Sequence, residues 1–195
     1  TGYTKRSAGI VQIAQGSYFR SALAFYTNGT ADVSTDWSER MRIDMDGNVG
    51  IGATDPVKTL DVRGQLAISN SASSYWYLDR NDSTGNFEIF DDGDINRLTI
   101  DISGNVGIGV TPEAWASGTE SALQIKNSSI YSYGDYEIGL QTNIYYNSGW
   151  KYSNTSSNLV SHYIQSNGNF KWFNAPGGTA DASVTFTERM RIASN

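Results

Sequence analysis

The chain has 195 residues, 38% of them hydrophobic, with 14 basic and 20 acidic side chains, a formal charge of −6 and no cysteine. Disulfide staples and Cys-ligated metals are excluded, and the basic footprint of a phosphate-backbone binder is missing, so nucleic acid is not an expected partner. Gly, Ser and Asn fill nearly a third of the length while Ile, Val, Tyr, Phe and Trp persist throughout, which is the composition of a turn-rich, all-β protein and not of a disordered one.

No apolar run approaches the roughly 18–20 residues of a membrane span, and the opening TGYTKRSAGI lacks the hydrophobic core of a signal peptide. Membrane insertion is not expected. A chain that begins with Thr reads as a fragment or a processed product.

In chain order, residues 9–43 offer two strands in GIVQIAQGSYFRSALAFYTNG, with Asn28-Gly29 as a turn, leading into ERMRI. Glu39-Arg40-Met41-Arg42-Ile43 alternates with period two, which predicts a half-buried strand with Met41 and Ile43 on one side and both arginines on the other. Gly47-Asn48 supplies a tight turn, since both tolerate positive φ. Val49-Gly50-Ile51-Gly52 alternates again, leaving one face β-branched and the other bare backbone that invites close approach by another backbone.

The cassette returns. Ile43 aligns with Ile100 and Ile192, which keeps Arg40, Arg97 and Arg189 in register and an apolar residue at Met41, Leu98 and Met190, while Arg42 becomes Thr99. A proline follows each complete copy, Pro56 and Pro112, and then a second alternating strand, Leu60-Asp61-Val62 or Leu123-Gln124-Ile125. The unit is a hairpin, a proline-set corner and another strand. Further strands are predicted around Leu66 to Ile68, Tyr75 to Leu78 and Phe87 to Phe90, with a turn at Asp91-Asp92-Gly93-Asp94. Residues 128–175 hold 11 of the 24 aromatics, punctuated by the hairpin signals Asn147-Ser148-Gly149 and Asn167-Gly168. No long helix is predicted; Glu113 to Ala116 suits a single helical turn.

These elements divide into an N-terminal β module (1–52), a shaft module (53–109) and a larger aromatic-rich module (110–195). A unit this small cannot bury its apolar face alone. The intervals from Ile43 to Ile100 and from Ile100 to Ile192 are 57 and 92 residues, too unequal for a solenoid. A rod of identical chains wrapped about an axis accommodates both. Met41, Ile43, Val49, Ile51, Leu98, Ile100, Val106, Ile108, Met190 and Ile192 are then the packing residues of a homotrimer, with Gly50, Gly52, Gly107 and Gly109 allowing tight approach at its axis.

The cassettes ERMRIDMDGNVGIGATDPVKTLDVRG and LTIDISGNVGIGVTPEAW resemble repeats of bacteriophage tail-fibre and tail-spike proteins, and NIYYNSGWKY…SHYIQSNGNFKWFNAPGGTADASVTFTERMRI resembles a second common fibre block. The resemblance implies an intertwined homotrimeric fibre of short β modules in the virion, extracellular, joined to other tail or baseplate proteins and acting in host attachment through a bacterial surface polysaccharide or protein receptor. It also implies a self-cleaving chaperone domain after many such fibres; no such domain lies within these residues.

Chemistry has few candidates. A Ser-His-Asp arrangement needs a poised histidine, and the single one, His162 in VSHYIQ, reads as a surface or cross-strand residue. Ligands for zinc are lacking. The oxygen-rich turns Asp44-Met45-Asp46-Gly47-Asn48 and Asp91-Asp92-Gly93-Asp94 miss the spacing of a calcium loop. Paired carboxylates for glycoside cleavage leave Glu88, Asp91, Asp92, Asp94 and Glu137, since Glu39 and Asp46 become Asn96 and Ser103 in the second copy. No enzyme and no cofactor are expected. The alternatives are a fibre-borne polysaccharide depolymerase and a cellular trimeric adhesin or filament subunit.

Aromatic faces stack on sugars, which makes Tyr131, Tyr133, Trp150, Tyr152, His162 and Trp172 the receptor candidates. Tyr131, Tyr133, Tyr152 and His162 are expected to be the more exposed. The competing reading makes the aromatics of this region core and cross-strand pairs.

Overall fold

The computed structural model describes residues 8–16, 19–29, 38–116 and 120–194. Among them every regular element is a strand, as the composition requires. The chain divides into two compact units, Thr1–Leu66 and Ala67–Asn195.

In the first unit β1 (Ala8–Ala14), β2 (Ser21–Thr27), β3 (Ser38–Ile43), β4 (Val49–Ile51) and β5 (Leu60–Val62) form an open sheet in chain order. Each strand is antiparallel to the last except β5, which returns parallel to β4. Asn28-Gly29 lies beyond β2, and the β1–β2 reversal falls between Gln15 and Arg20, whose backbones hydrogen-bond at 2.9 Å.

The second unit is built on an open eleven-stranded sheet. It runs from β6 (Leu66–Ser71) through β7 (Ser74–Arg80), β8 (Phe87–Asp91), β9 (Asn96–Ile100), β10 (Val106–Ile108), β11 (Glu120–Ile125), β12 (Ser128–Tyr133) and β13 (Glu137–Thr142) to β16 (Val160–Ser166), β17 (Asn169–Ala175) and β18 (Thr187–Ile192). The excursion between β13 and β16 is a separate hairpin, β14 (Ile144–Tyr146) with β15 (Trp150–Tyr152). Its turn uses positive φ at Ser148 and Gly149, and the β16–β17 turn does the same at Asn167 and Gly168.

Both complete cassettes fold alike. Ile43, Arg42 and Met41 face Val49, Gly50 and Ile51 in the first. In the second, Ile100, Thr99 and Leu98 face Val106, Gly107 and Ile108. The connecting turn is organised by an aspartate that both copies retain. Asp44 Oδ1 accepts the N–H groups of Asp46 and Asn48, and Oδ2 accepts from the Asn48 amide; Asp101 does the same with Ser103 and Asn105. After each hairpin the chain turns a corner and adds a parallel strand, β5 on β4 and β11 on β10.

The strict alternation expected of ERMRI is broken by a bulge. Arg40 has no partner in the register, which passes from Phe25 opposite Met41 to Tyr26 opposite Glu39. Arg97 and Arg189 are skipped in the same way. The extra residue turns the preceding side chain onto the face of the residue three further on. The two arginines of the motif therefore do different work. Arg42 is 7% exposed within the face of the sheet. Arg40, Arg97 and Arg189 reach across to the neighbouring strand, where they bind Thr27, Asp91 and Asn174 at equivalent positions.

Gly50 and Gly107 do admit another backbone, and it belongs to the same chain. A Cβ at Gly50 would lie 2.3 Å from the Ala53 carbonyl oxygen, and one at Gly107 would lie 2.1 Å from that of Val110. Gly52 and Gly109 are required by their φ of +68° and +65° at the corner that follows. Within the chain the four glycines thus seat the corner of their own cassette. Residues 113–116 form no helical turn; Trp115 instead packs in a core cluster with Ala122, Tyr131 and Tyr145.

Candidate functional site

Paired residues share a sheet face, and the register places the apolar candidates together. In the second unit one row crosses nine strands: Phe87, Ile100, Val106, Leu123, Ile130, Leu140, Tyr163, Trp172 and Met190. A second row beside it holds Leu78, Ile89, Leu98, Ile108 and Ile125. Ile192 lies opposite Phe170. The first unit repeats the pattern, with Ile10, Phe25, Met41, Ile51 and Val62 in one row and Leu23, Ile43, Val49 and Leu60 in the next.

These rows are exposed or half-exposed in the single chain, and none of their members is buried. Leu140 is 55% exposed, Leu60 58%, Met190 49% and Ile51 44%. The opposite face carries polar residues and is buried. Glu88, Thr99, Gly107, Gln124, Ser129, Gln141 and His162 form its central row, with Thr99 fully buried and Gln141 only 1% exposed. The Gln141 amide donates to Ser129 Oγ and to the Ile144 carbonyl of the β14–β15 hairpin, and Trp150 of that hairpin stands 4.5 Å from the His162 ring. Sheet burial is inverted: aliphatic residues face outward and amides face inward.

The aromatic candidates separate into three places. Tyr131, Tyr133 and Trp150 meet Tyr136, Glu137 and Tyr146 around a cup of about 190 Å³. Its rings stand steeply to one another: 88° between Tyr133 and Tyr136, 72° between Tyr146 and Trp150, and 69° between Tyr131 and Trp150. His162 lies beneath the cup. Tyr152 belongs to another core cluster, with Ile144, Val160 and Ala175, and donates to the Pro176 carbonyl at 2.9 Å. Trp172 sits in the apolar row on the far face.

The expected exposure of Tyr131, Tyr152 and His162 is corrected. They are 2%, 5% and 2% exposed, because the β14–β15 hairpin folds over the strands that carry Tyr131 and His162, and Tyr152 packs inward from the hairpin itself against Val160 and Ala175. Only Tyr133 remains half-open. Tyr136 and Tyr146, not named as receptor residues from the sequence, and Glu137, named there only as a candidate acid, flank the others at the start of β13 and the end of β14.

A short polar chain runs under the cup. The Tyr131 hydroxyl donates to Glu137 Oε1 at 2.8 Å, so its oxygen accepts from His162 Nε2 at 3.2 Å. His162 Nδ1 then lacks a hydrogen-bond partner, which fits a neutral ring. Burial pushes the His162 pKa down to about 4, and burial followed by the Glu137 bond pushes the Tyr131 phenol up.

Three of the other acids are engaged structurally. Glu88 accepts from the Asn81 and Asn96 amides, Asp94 accepts from the Tyr77 hydroxyl, and Asp91 binds Arg97 and the backbone of its own turn. The Arg97 guanidinium, with the turn N–H groups, holds the Asp91 carboxyl below its usual range. Among the described residues no group of three His, Asp or Glu is placed to hold a metal ion.

No protein-family profile and no curated protein matches the chain.

Proposed function

We propose that this chain is a segment of a homotrimeric bacteriophage tail fibre, a non-enzymatic β rod that also serves in attachment to the host surface. The observation that carries the reading is the inverted burial. A soluble single chain seldom leaves an apolar patch of this extent uncovered, and both units carry the same rows. A surface repeated along the chain is matched most simply by further copies of itself. The count of three and the viral setting come from the resemblance of the cassettes to fibre repeats.

The polar face, under its hairpin and aromatic cup, is the side left for a receptor. Weak contacts to a surface polysaccharide would be multiplied by three copies per fibre. Against a depolymerase stand the structural hydrogen bonds that occupy Glu88, Asp91 and Asp94.

Sedimentation equilibrium at micromolar concentration tests the assembly, with a mass three times the 21.3 kDa chain expected. A compact, stable monomer overturns it. A glycan array read together with release of oligosaccharide tests attachment: binding without turnover supports the adhesin, and turnover supports the depolymerase.

A further inference from the structure

We infer that the cup formed by Tyr131, Tyr133, Tyr136, Glu137, Tyr146 and Trp150 binds an alkylammonium group of the choline type. The inference deepens the attachment reading and rests on it only for the source of that group, not for its chemistry.

Neutral sugars are held by one or two flat ring faces with several amide, hydroxyl and charged partners around the hydroxyls. This lining has another character. Five aromatic rings and one carboxylate make it up, with no amide or basic side chain. The rings stand at 69° to 88° to one another, so they wall a rounded guest from several directions instead of flanking a plate. Aromatic walls with an acid at the edge attract a cation and tolerate its methyl groups. At about 190 Å³ the cup is below the roughly 300–1,000 Å³ of pockets that enclose a drug-sized molecule, which suits a head group on a larger carrier.

Glu137 is available for that role. It forms no ion pair with a basic side chain among the described residues, and Tyr131 steadies it by donating to Oε1. Behind the walls, the Tyr131 and Trp150 rings pack at 5.3 Å and both rest against His162. The cup is preformed.

The test titrates the full chain with choline at constant ionic strength, read by tryptophan fluorescence and calorimetry. Saturation with a Kd of about 1 mM is expected, with the uncharged tert-butyl analogue at least about tenfold weaker. Glu137→Gln keeps the acceptor for Tyr131 and is expected to weaken choline about tenfold. Tyr136→Ala, at a half-exposed edge of the cup, is expected to weaken it without unfolding. Equal binding of choline and its neutral analogue, or no saturation by about 10 mM, overturns the inference. A second arm compares a polysaccharide bearing choline substituents with the same polymer stripped of them. Choline bound without preference between the polymers upholds the cup and overturns its part in attachment; stripped polymer bound without choline upholds attachment and overturns the cup.

Discussion

Glu39 and Arg42, three positions apart on one strand, form a two-pronged ion pair, Nε to Oε1 at 2.5 Å and Nη2 to Oε2 at 2.7 Å, because the bulge at Arg40 turns both onto one face. The pair is 8% exposed on each side, and Tyr26 adds a hydroxyl to Glu39. The second cassette places Asn96 and Thr99 at the same two positions, again bonded to each other, at 2.9 Å. The third returns to Glu188 and Arg191, paired and more open.

This pairing predicts coupled substitution. Arg42→Thr alone leaves a buried carboxylate unpaired and is expected to cost about 3–5 kcal/mol. Glu39→Asn with Arg42→Thr, which copies the second cassette, is expected to recover most of that loss. Urea unfolding of the two single variants and the double variant measures the coupling. Additive losses would contradict it.

At Gly50 and Gly107 the neighbour of a new methyl is backbone, which cannot swing aside. Gly107→Ala is expected to destabilise by at least about 1–3 kcal/mol. Gly47→Asn is the contrasting change: φ there is +86° with nothing near the would-be Cβ, and Asn adopts that region readily. It is expected to alter the denaturation midpoint little.

His162 imposes an acid limit. Burial disfavours the imidazolium, so the unfolded chain takes up a proton near 6.5 while the native ring does so only near about 4. The unfolded state therefore binds more protons between those values, and stability falls as pH drops through that window, by about 3 kcal/mol. Glu39, held below its usual range mainly by Arg42, adds a further loss at lower pH. His162→Phe is expected to flatten the curve between pH 6.5 and 4, measured as unfolding free energy against pH.

Leu140 lies mid-row and mostly open, so Leu140→Lys is expected to leave the β circular dichroism intact while abolishing association in sedimentation. Leu159, 67% exposed and outside the rows, supplies the control: Leu159→Lys is expected to change neither.

Much of the architecture was legible in the residues. Alternation in Val49-Gly50-Ile51 and Leu60-Asp61-Val62, the turn glycines and the Asn-Gly signals located most strands to within a residue or two. The bulges were not legible, because period two describes a regular strand and an extra residue shows only in the partner's register. Arg40, Arg97 and Arg189 were the available clue: an arginine retained in all three copies while its neighbours changed. The change of Glu39 to Asn96 looked like evidence that the acid was dispensable. Its partner had changed with it. The cup was half legible, since the aromatic excess in 128–175 was plain, but which rings the β14–β15 hairpin would cover depended on a fold-over that no local pattern encodes.

The β14–β15 excursion leaves the sheet after β13 and rejoins at β16 with Leu140 and Tyr163 still side by side. Loops on that side can thus change in length or sequence, provided they still cover Gln141 and His162, while the outward row passes from strand to strand unaltered. In the proposed fibre, a lineage under pressure to change what it grips would have to redesign only one surface, and chains differing widely in their decorations could still assemble with one another.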